Sequence, residues 1–447
     1  ADEINTGLKA GVLSRDIVPI FAVSAGNNSG TDELLDAIMN LLPSPDDVEV
    51  PEVPAGAQAN FVFKTSADPF VGKLSYFRVY GATLDSNAQL WNANKGESER
   101  VGQVYHPAGK ETTGVDSIIR GDIGVISRLN HTQTFDTLCD KSNEIKLGNV
   151  DLPSPVFALA VTPQGQSDLD KMAESLSRMT EEDPTLEIER NTDTSETVLH
   201  GLGDIHVDLA IERIARKFDV NLDTALPSIP YRETVGGQTQ ISYKHRKQSG
   251  GRGQYGHVVL EIRPGETGKG ITFGSKVVGG NVPKDYIPAV EKGIRNAAMD
   301  GVVAGFTVVD VAVLLTDGSS HSVDSSGMAF EIAGSMGFRQ AVRDAHPTLL
   351  EPVLKLRILA PDDCAGDVMG DLNSRRARIG GMEPKGNGLT EISAEAPASM
   401  MQRYATDLRS LTQARGDFTA VMDHYEPVPP QEARSVIASR QSGEEEE

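Results

Sequence analysis

Three groups of residues in this chain have types and spacings suited to contact with a phosphate-bearing partner. The first is the run Lys244-His245-Arg246-Lys247-Gln248-Ser249-Gly250-Gly251-Arg252-Gly253-Gln254-Tyr255-Gly256-His257. Its cations suit phosphates, its glycines let a backbone come close, and Gln248 and Gln254 offer hydrogen bonds to sugars. Gly236 to Leu260 holds four Lys or Arg residues and no Asp or Glu, in a chain of formal net charge -22. A carboxylate-free stretch in an acidic protein steers one segment, rather than the whole surface, toward a polyanion. The other reading is a solvated hairpin with a glycine-rich turn, and these residues alone leave both open.

The second group is the loop Thr316–Ser326. Asp324 and Ser325 stand just ahead of a helix, where such residues cap first of all. A helix start with free amides also receives anions, and His321, four residues before Ser325, adds a donor. The third group is Arg375, Arg376 and Arg378, near the end of a helix that contains Gly370-Asp371-Leu372-Asn373-Ser374. There they complement the helix dipole or offer phosphates a basic edge.

What is lacking narrows the chemistry. No Gly-x-x-x-x-Gly-Lys-Ser/Thr run occurs, so the chain as given has no visible means to bind and cleave a nucleoside triphosphate. Gly251-x-Gly253-x-x-Gly256 matches a dinucleotide fingerprint in letters only, because a strand rather than a helix is expected after it. No Ser/His/Asp or Cys/His set is spaced for catalysis, so no catalytic residue is assigned. The two cysteines, Cys139 and Cys364, lie far apart and form no Cys-x-x-Cys, which points to a reducing compartment and away from zinc. The nine histidines show no close ligand pair, and no metal site is expected. Apolar runs are short, and the first residues form no signal segment, so a cytoplasmic protein that does not contact membranes is expected.

The elements that must hold these groups read as a multidomain α+β protein. Asp16–Val23 reads as a buried strand, and Thr31–Leu42 as a helix capped by Thr31 with Leu34, Leu35, Ile38 and Leu41 on one face. Together they resemble the end of an α/β domain, giving a first segment of 1–50 and suggesting truncation. Short alternating strands in 51–150 indicate a β-barrel. Pro155–Pro163 and Pro352–Pro361 share one cadence, and each opens a βαββαβ order, the ferredoxin-like sandwich, over 151–227 and 351–428. Between them, 228–350 holds the basic hairpin, a helix from Tyr286 to Ala298, a strand from Thr307 to Leu315, and a long helix after the second loop. A C-terminal helix and an acidic tail, read as disordered, complete the chain over 429–447.

These strings resemble elongation factor G, the ribosomal translocase, along almost the whole chain. The resemblance is carried by Asp68-Pro69-Phe70-Val71-Gly72-Lys73-Leu74, Gly201-Leu202-Gly203-Asp204-Ile205-His206 and Tyr231-Arg232-Glu233-Thr234. It continues in Gln248–His257, Asp317–Ser326 and Gly370–Arg376. It implies the remnant of a GTPase domain, a β-barrel, two ferredoxin-like domains, and between these an elongated domain of the ribosomal protein S5 domain 2-like kind. Ser24 and Ala25 match the family's last guanine-contacting motif. GTP and magnesium would be cofactors of the full-length protein, with none for this chain and no GTP hydrolysis by it. Implied partners are the ribosome's RNA, the tRNA–mRNA duplex in the A site and the stalk base, met by a monomer. Lys247, Gln248, Ser249, Gly250, Gly251, Arg252, Gly253, Gln254, Tyr255, His321, Asp324 and Ser325 would form the tip. Arg375, Arg376 and Arg378 would face the large subunit. Ser320 stands where the family usually has an aromatic residue, and Gly327 where it often has an acidic one. These departures keep open a paralogue for ribosome recycling or protection, or a non-enzymatic RNA-binding module.

Overall fold

A computed structural model describes every residue except 1, 46, 48–52, 69–70, 110, 149, 166–167, 248–252, 279 and 445–447. Contacts divide the chain into two units. One unit comprises Ala1–Pro153, Gly165–Leu186 and Ala210–Asn221; the other comprises Ser154–Gln164, Glu187–Leu209 and Leu222–Glu447.

The first unit begins with helix α1 (Asp2–Leu13), which sequence reading did not find, and α2 (Thr31–Leu41). The expected strand at 16–23 is corrected: 17–23 joins no ladder, leaving Val18 80% and Ile20 92% exposed. An apolar run becomes a strand only when a neighbour takes its backbone groups, and none does so among the described residues. Thr31 is the first helical residue rather than the cap. Gly30 caps α2 at φ 75, a conformation that suits glycine.

Next come β1 (Ala59–Asp68), β2 (Gly72–Val79), β3 (Leu84–Asp85), β4 (Gln89–Asn92) and β5 (Glu97–Arg100). They are followed by β6 (Val104–Ala108), β7 (Glu111–Val115), β8 (Ser117–Ile118), β9 (Ile123–Ser127) and β10 (Thr137–Cys139). Eight of them form an antiparallel sheet in the order β5-β4-β10-β1-β2-β9-β6-β7, while β3 pairs with β8. Val62, Phe77, Leu84, Val104, Ile126 and Leu138 fill its core. No described ladder joins β5 to β7, so the expected barrel takes the form of a sheet that does not close into a ring. Its end strands are polar, Glu97-Ser98-Glu99-Arg100 and Glu111-Thr112-Thr113, as suits a blunted edge.

The first βαββαβ order runs β11 (Phe157–Pro163), α3 (Leu169–Glu182), β12 (Glu187–Arg190), β13 (Thr197–Gly201), α4 (Asp204–Phe218) and β14 (Leu222–Ala225). Its sheet order is β12-β13-β11-β14, the ferredoxin-like arrangement. The elongated domain contains β15 (Arg232–Val235), β16 (Thr239–Lys247), β17 (Gln254–Pro264), β18 (Ile271–Ser275), α5 (Ile287–Asp300), β19 (Val311–Ser319) and α6 (Gly327–Asp344). The second sandwich is β20 (Pro347–Pro361), α7 (Ala365–Ser374), β21 (Arg378–Gly386), β22 (Leu389–Pro397), α8 (Tyr404–Thr412) and β23 (Asp417–Pro427), followed by α9 (Pro430–Glu444). The acidic end of the tail, 445–447, lies outside the described residues.

Two strand positions differ from expectation. β20 begins at Pro347 because its first residues pair with β15, Arg232 opposite Leu350. β19 starts and ends later than the expected 307–315. Asp310 sits at φ 56, and Thr307 and Val309 instead bond with the backbone of Glu233, while Val308 donates to the Ala298 carbonyl. The Glu233 carboxylate is buried and accepts the backbone N–H groups of Val302, Val303, Ala304 and Phe306 at 2.8–3.2 Å. Four donors that would otherwise lose water without compensation are satisfied by one side chain.

Candidate nucleic-acid interface

The tongue is a hairpin within the sheet β16-β17-β19-β18. Pairing runs from Thr239 opposite Ile262 to Lys247 opposite Gln254. Alternation puts Val258, Leu260 and Ile262 in the core with Val290, Ile294, Phe330 and Phe338 of the two helices. Gly256 shares that inward face. A Cβ there would lie 2.5 Å from the Ala329 carbonyl, so only glycine lets the tongue lie this close to the start of α6. Gln248, Ser249, Gly250, Gly251 and Arg252 lie outside the described residues.

The structure brings the rest of the tongue and the second loop together. Gly253 donates its N–H to Asp324 Oδ1 at 3.0 Å, and Tyr255 donates its N–H to the Asp324 carbonyl at 2.9 Å. Ser325 Oγ donates to the Tyr255 carbonyl at 2.9 Å while accepting the His321 N–H at 2.8 Å. The rings of Tyr255 and His321 lie 6.2 Å apart. His321 Nδ1 faces the N–H groups of Val323 and Asp324, which leaves Nε2 as the nitrogen with a proton to offer. Asp324 and Ser325 therefore act as struts that join the loops, and Ser326 caps α6 by accepting the Ala329 N–H. Gln254 contacts His245 Nε2 through Oε1 at 3.0 Å.

The cations of the tongue keep their charge outward. Lys244, Arg246 and Lys247 are exposed and have no carboxylate partner among the described residues. The arginines after α7 contrast with them. Arg375 is 16% exposed and bonds to Asp371, to Asp407 at 2.7 Å and to the Met400 carbonyl at 2.9 Å. Arg376 pairs with Glu351 and Glu432. Arg378 opens β21 rather than ending the helix, and it pairs with Glu426 and, at 3.6 Å, with Glu395. The proposed basic edge is thus a set of cations held by carboxylates of this same chain.

One constellation was missed from the sequence. Tyr255 OH meets Ser319 Oγ at 2.7 Å, Ser319 Oγ meets His257 Nδ1 at 2.8 Å, and His257 Nε2 meets Ser242 Oγ at 2.9 Å. Burial and then the Lys244 ammonium hold His257 below the ordinary histidine pKa, while Asp317 opposes them. The later position of β19 is what places Ser319 opposite His257. At the other end of the chain, Ser24 and Ala25 lie in a short loop closed by the Ser24 N–H to the Ser29 carbonyl at 2.9 Å. Among the described residues no helix is long and apolar enough to cross a membrane.

Four family models match the chain. They are elongation factor G domain 2 over residues 58–141, domain III over 152–225, domain IV over 227–346 and the C-terminus over 348–436. A crystal structure of a protein from Thermus thermophilus is similar at 35% identity and a TM-score of 0.77. The match covers 94% of this chain and 63% of that one, so this chain spans less than two thirds of that protein's length.

Proposed function

The chain belongs to the elongation factor G family, and from that premise we propose that it promotes the movement of tRNA and mRNA on the ribosome, using its tongue as the working end. The observation that carries this reading is the tip itself. The tongue and the His321 loop are knit together by Asp324, Ser325 and Tyr255, while Lys244, Arg246 and Lys247 face outward without internal partners among the described residues. A basic tongue braced at Gly253 and Tyr255 would meet a codon–anticodon helix through phosphates and sugars and oppose its backward slippage. GTP with its magnesium is the fuel of a GTPase domain outside these residues, and Ser24 and Ala25 would contact the guanine base.

The test joins the chain to a GTPase domain of the family and follows the mRNA position on a programmed ribosome. The expected result is a one-codon advance that depends on GTP. Absence of ribosome-stimulated GTP hydrolysis overturns the reading. A second reading, a paralogue for recycling or protection, is favoured by Ser320 and Gly327, which leave the second loop without the family's usual aromatic and acidic side chains. Subunit separation or drug displacement without an advance of the mRNA would select it.

A further inference from the structure

We propose that Ser242, His257 and Ser319 form a polarised relay that positions the Tyr255 hydroxyl as a hydrogen-bond donor to an RNA backbone oxygen, and that His257 takes up a proton when RNA binds. This rests on the reading that the tip contacts RNA and adds to it a mechanism at the tongue's root.

The argument begins with counting protons. The chain of contacts Ser242–His257–Ser319–Tyr255 has three links and four side chains. With His257 neutral, the single ring proton orients the chain one way or the other. A proton on Nε2 donates to Ser242, so Nδ1 accepts from Ser319, which accepts from Tyr255; the Tyr255 proton is then spent inward. A second ring proton, taken from solvent onto Nδ1, reverses this. His257 then donates to both serines, Ser319 donates to Tyr255, and the tyrosine proton is left to point outward. The same step adds a positive charge beside Lys244. Both changes favour a partner rich in acceptor oxygens and negative charge.

The geometry permits this response and shields it from competing groups. His257 lies on the sheet face opposite the helices, since Gly256 and Val258 on either side of it are buried in the inward face. The charged groups facing it are Lys244 of β16, its cross-strand partner, and Asp317 of β19. Asp317 is already engaged by Asn281 Nδ2 at 2.9 Å and by the Gly318 N–H at 2.8 Å. Half-burial and then the Lys244 ammonium favour the neutral form of His257 in the free protein, and an approaching phosphate opposes both influences. The Tyr255 main chain stays in place as this happens, because its backbone N–H and carbonyl are tied to Asp324 and Ser325.

The experiment titrates the whole chain with a short RNA stem-loop in two buffers of different ionisation enthalpy, from about pH 8 to about pH 5. The expected result is net proton uptake on binding in the unaltered chain. Affinity should rise as pH falls, by about tenfold for each unit by which RNA raises the His257 pKa. His257→Gln and Tyr255→Phe should each flatten the profile, whereas Arg246→Ala should lower affinity at every pH and keep its slope. Binding with no proton uptake overturns the relay and leaves RNA contact standing. Uptake that persists in H257Q also overturns it, by assigning the proton elsewhere. No binding at low salt overturns both. The calorimetric measurement on the unaltered chain needs no variant to fold.

Discussion

Lys244, Arg246 and Lys247 on the tongue and Arg375, Arg376 and Arg378 after α7 carry the same charge and keep different company. The tongue cations project from a hairpin with no carboxylate among its near neighbours in sequence. The arginines are met by Asp371, Asp407, Glu351, Glu432, Glu395 and Glu426. Carboxylates outnumber cations in this chain by 64 to 42, yet these three tongue cations have no carboxylate partner among the described residues. Charge left without an internal partner is charge available to something else. Basic clusters of similar composition thus differ in setting, one held by carboxylates within the fold and the other open to solvent.

The comparison can be broken most severely at Arg376. Its partner Glu351 is 3% exposed, so Arg376→Ala strands a buried carboxylate and should destabilise the protein by about 3 kcal/mol in urea denaturation. If this variant instead keeps its stability and loses RNA affinity, Arg376 belongs with the tongue. Asp324→Ala comes next. Removing the acceptor for the Gly253 N–H should cost about 1 kcal/mol, and RNA affinity should fall as the tip loosens. Full affinity in that variant would mean the strut is not needed.

Arg246→Ala and Lys247→Ala should change stability by less than about 0.5 kcal/mol while each lowers the slope of log affinity against log salt by about 1. An unchanged slope would remove those side chains from the interface. The smallest effect belongs to His424, whose pKa is raised by hydrogen bonds to Glu426 and then Asp423. Its contribution is fully present below the ordinary histidine pKa of 6.5 and is lost as pH rises through the raised value. His424→Asn should therefore flatten the pH dependence of Tm only in that near-neutral window.

Much of this was legible in the order of residues. The glycine spacing of the tongue, its strand alternation and the repeated cadence at Pro155 and Pro352 are local patterns, and local patterns set strands and hairpins. The partners of the arginines were not legible, because Asp407 and Glu432 come from α8 and α9, far along the chain from Arg375 and Arg376. The Ser319–His257 contact also escaped, since it depends on where β19 begins. That start is moved by the left-handed Asp310 and by the carboxylate of Glu233, neither of which announces itself in a hydropathy pattern. The strand expected at 16–23 failed for the converse reason: its residues have the right propensity, but pairing is a property of two segments.

The ladder between β16 and β17 holds nine residue pairs, and β17 is also paired along its other edge with β19. A push on the tip, directed along the strands, would reach the base of the domain as shear spread over many hydrogen bonds at once. It would not open them one after another like a zipper. A beam roughly 30 Å long, at about 3.4 Å per residue, is thereby loaded in its stiffest direction. Bending it sideways would work mainly against the packing of α6, where Gly256 lets helix and tongue lie backbone to backbone.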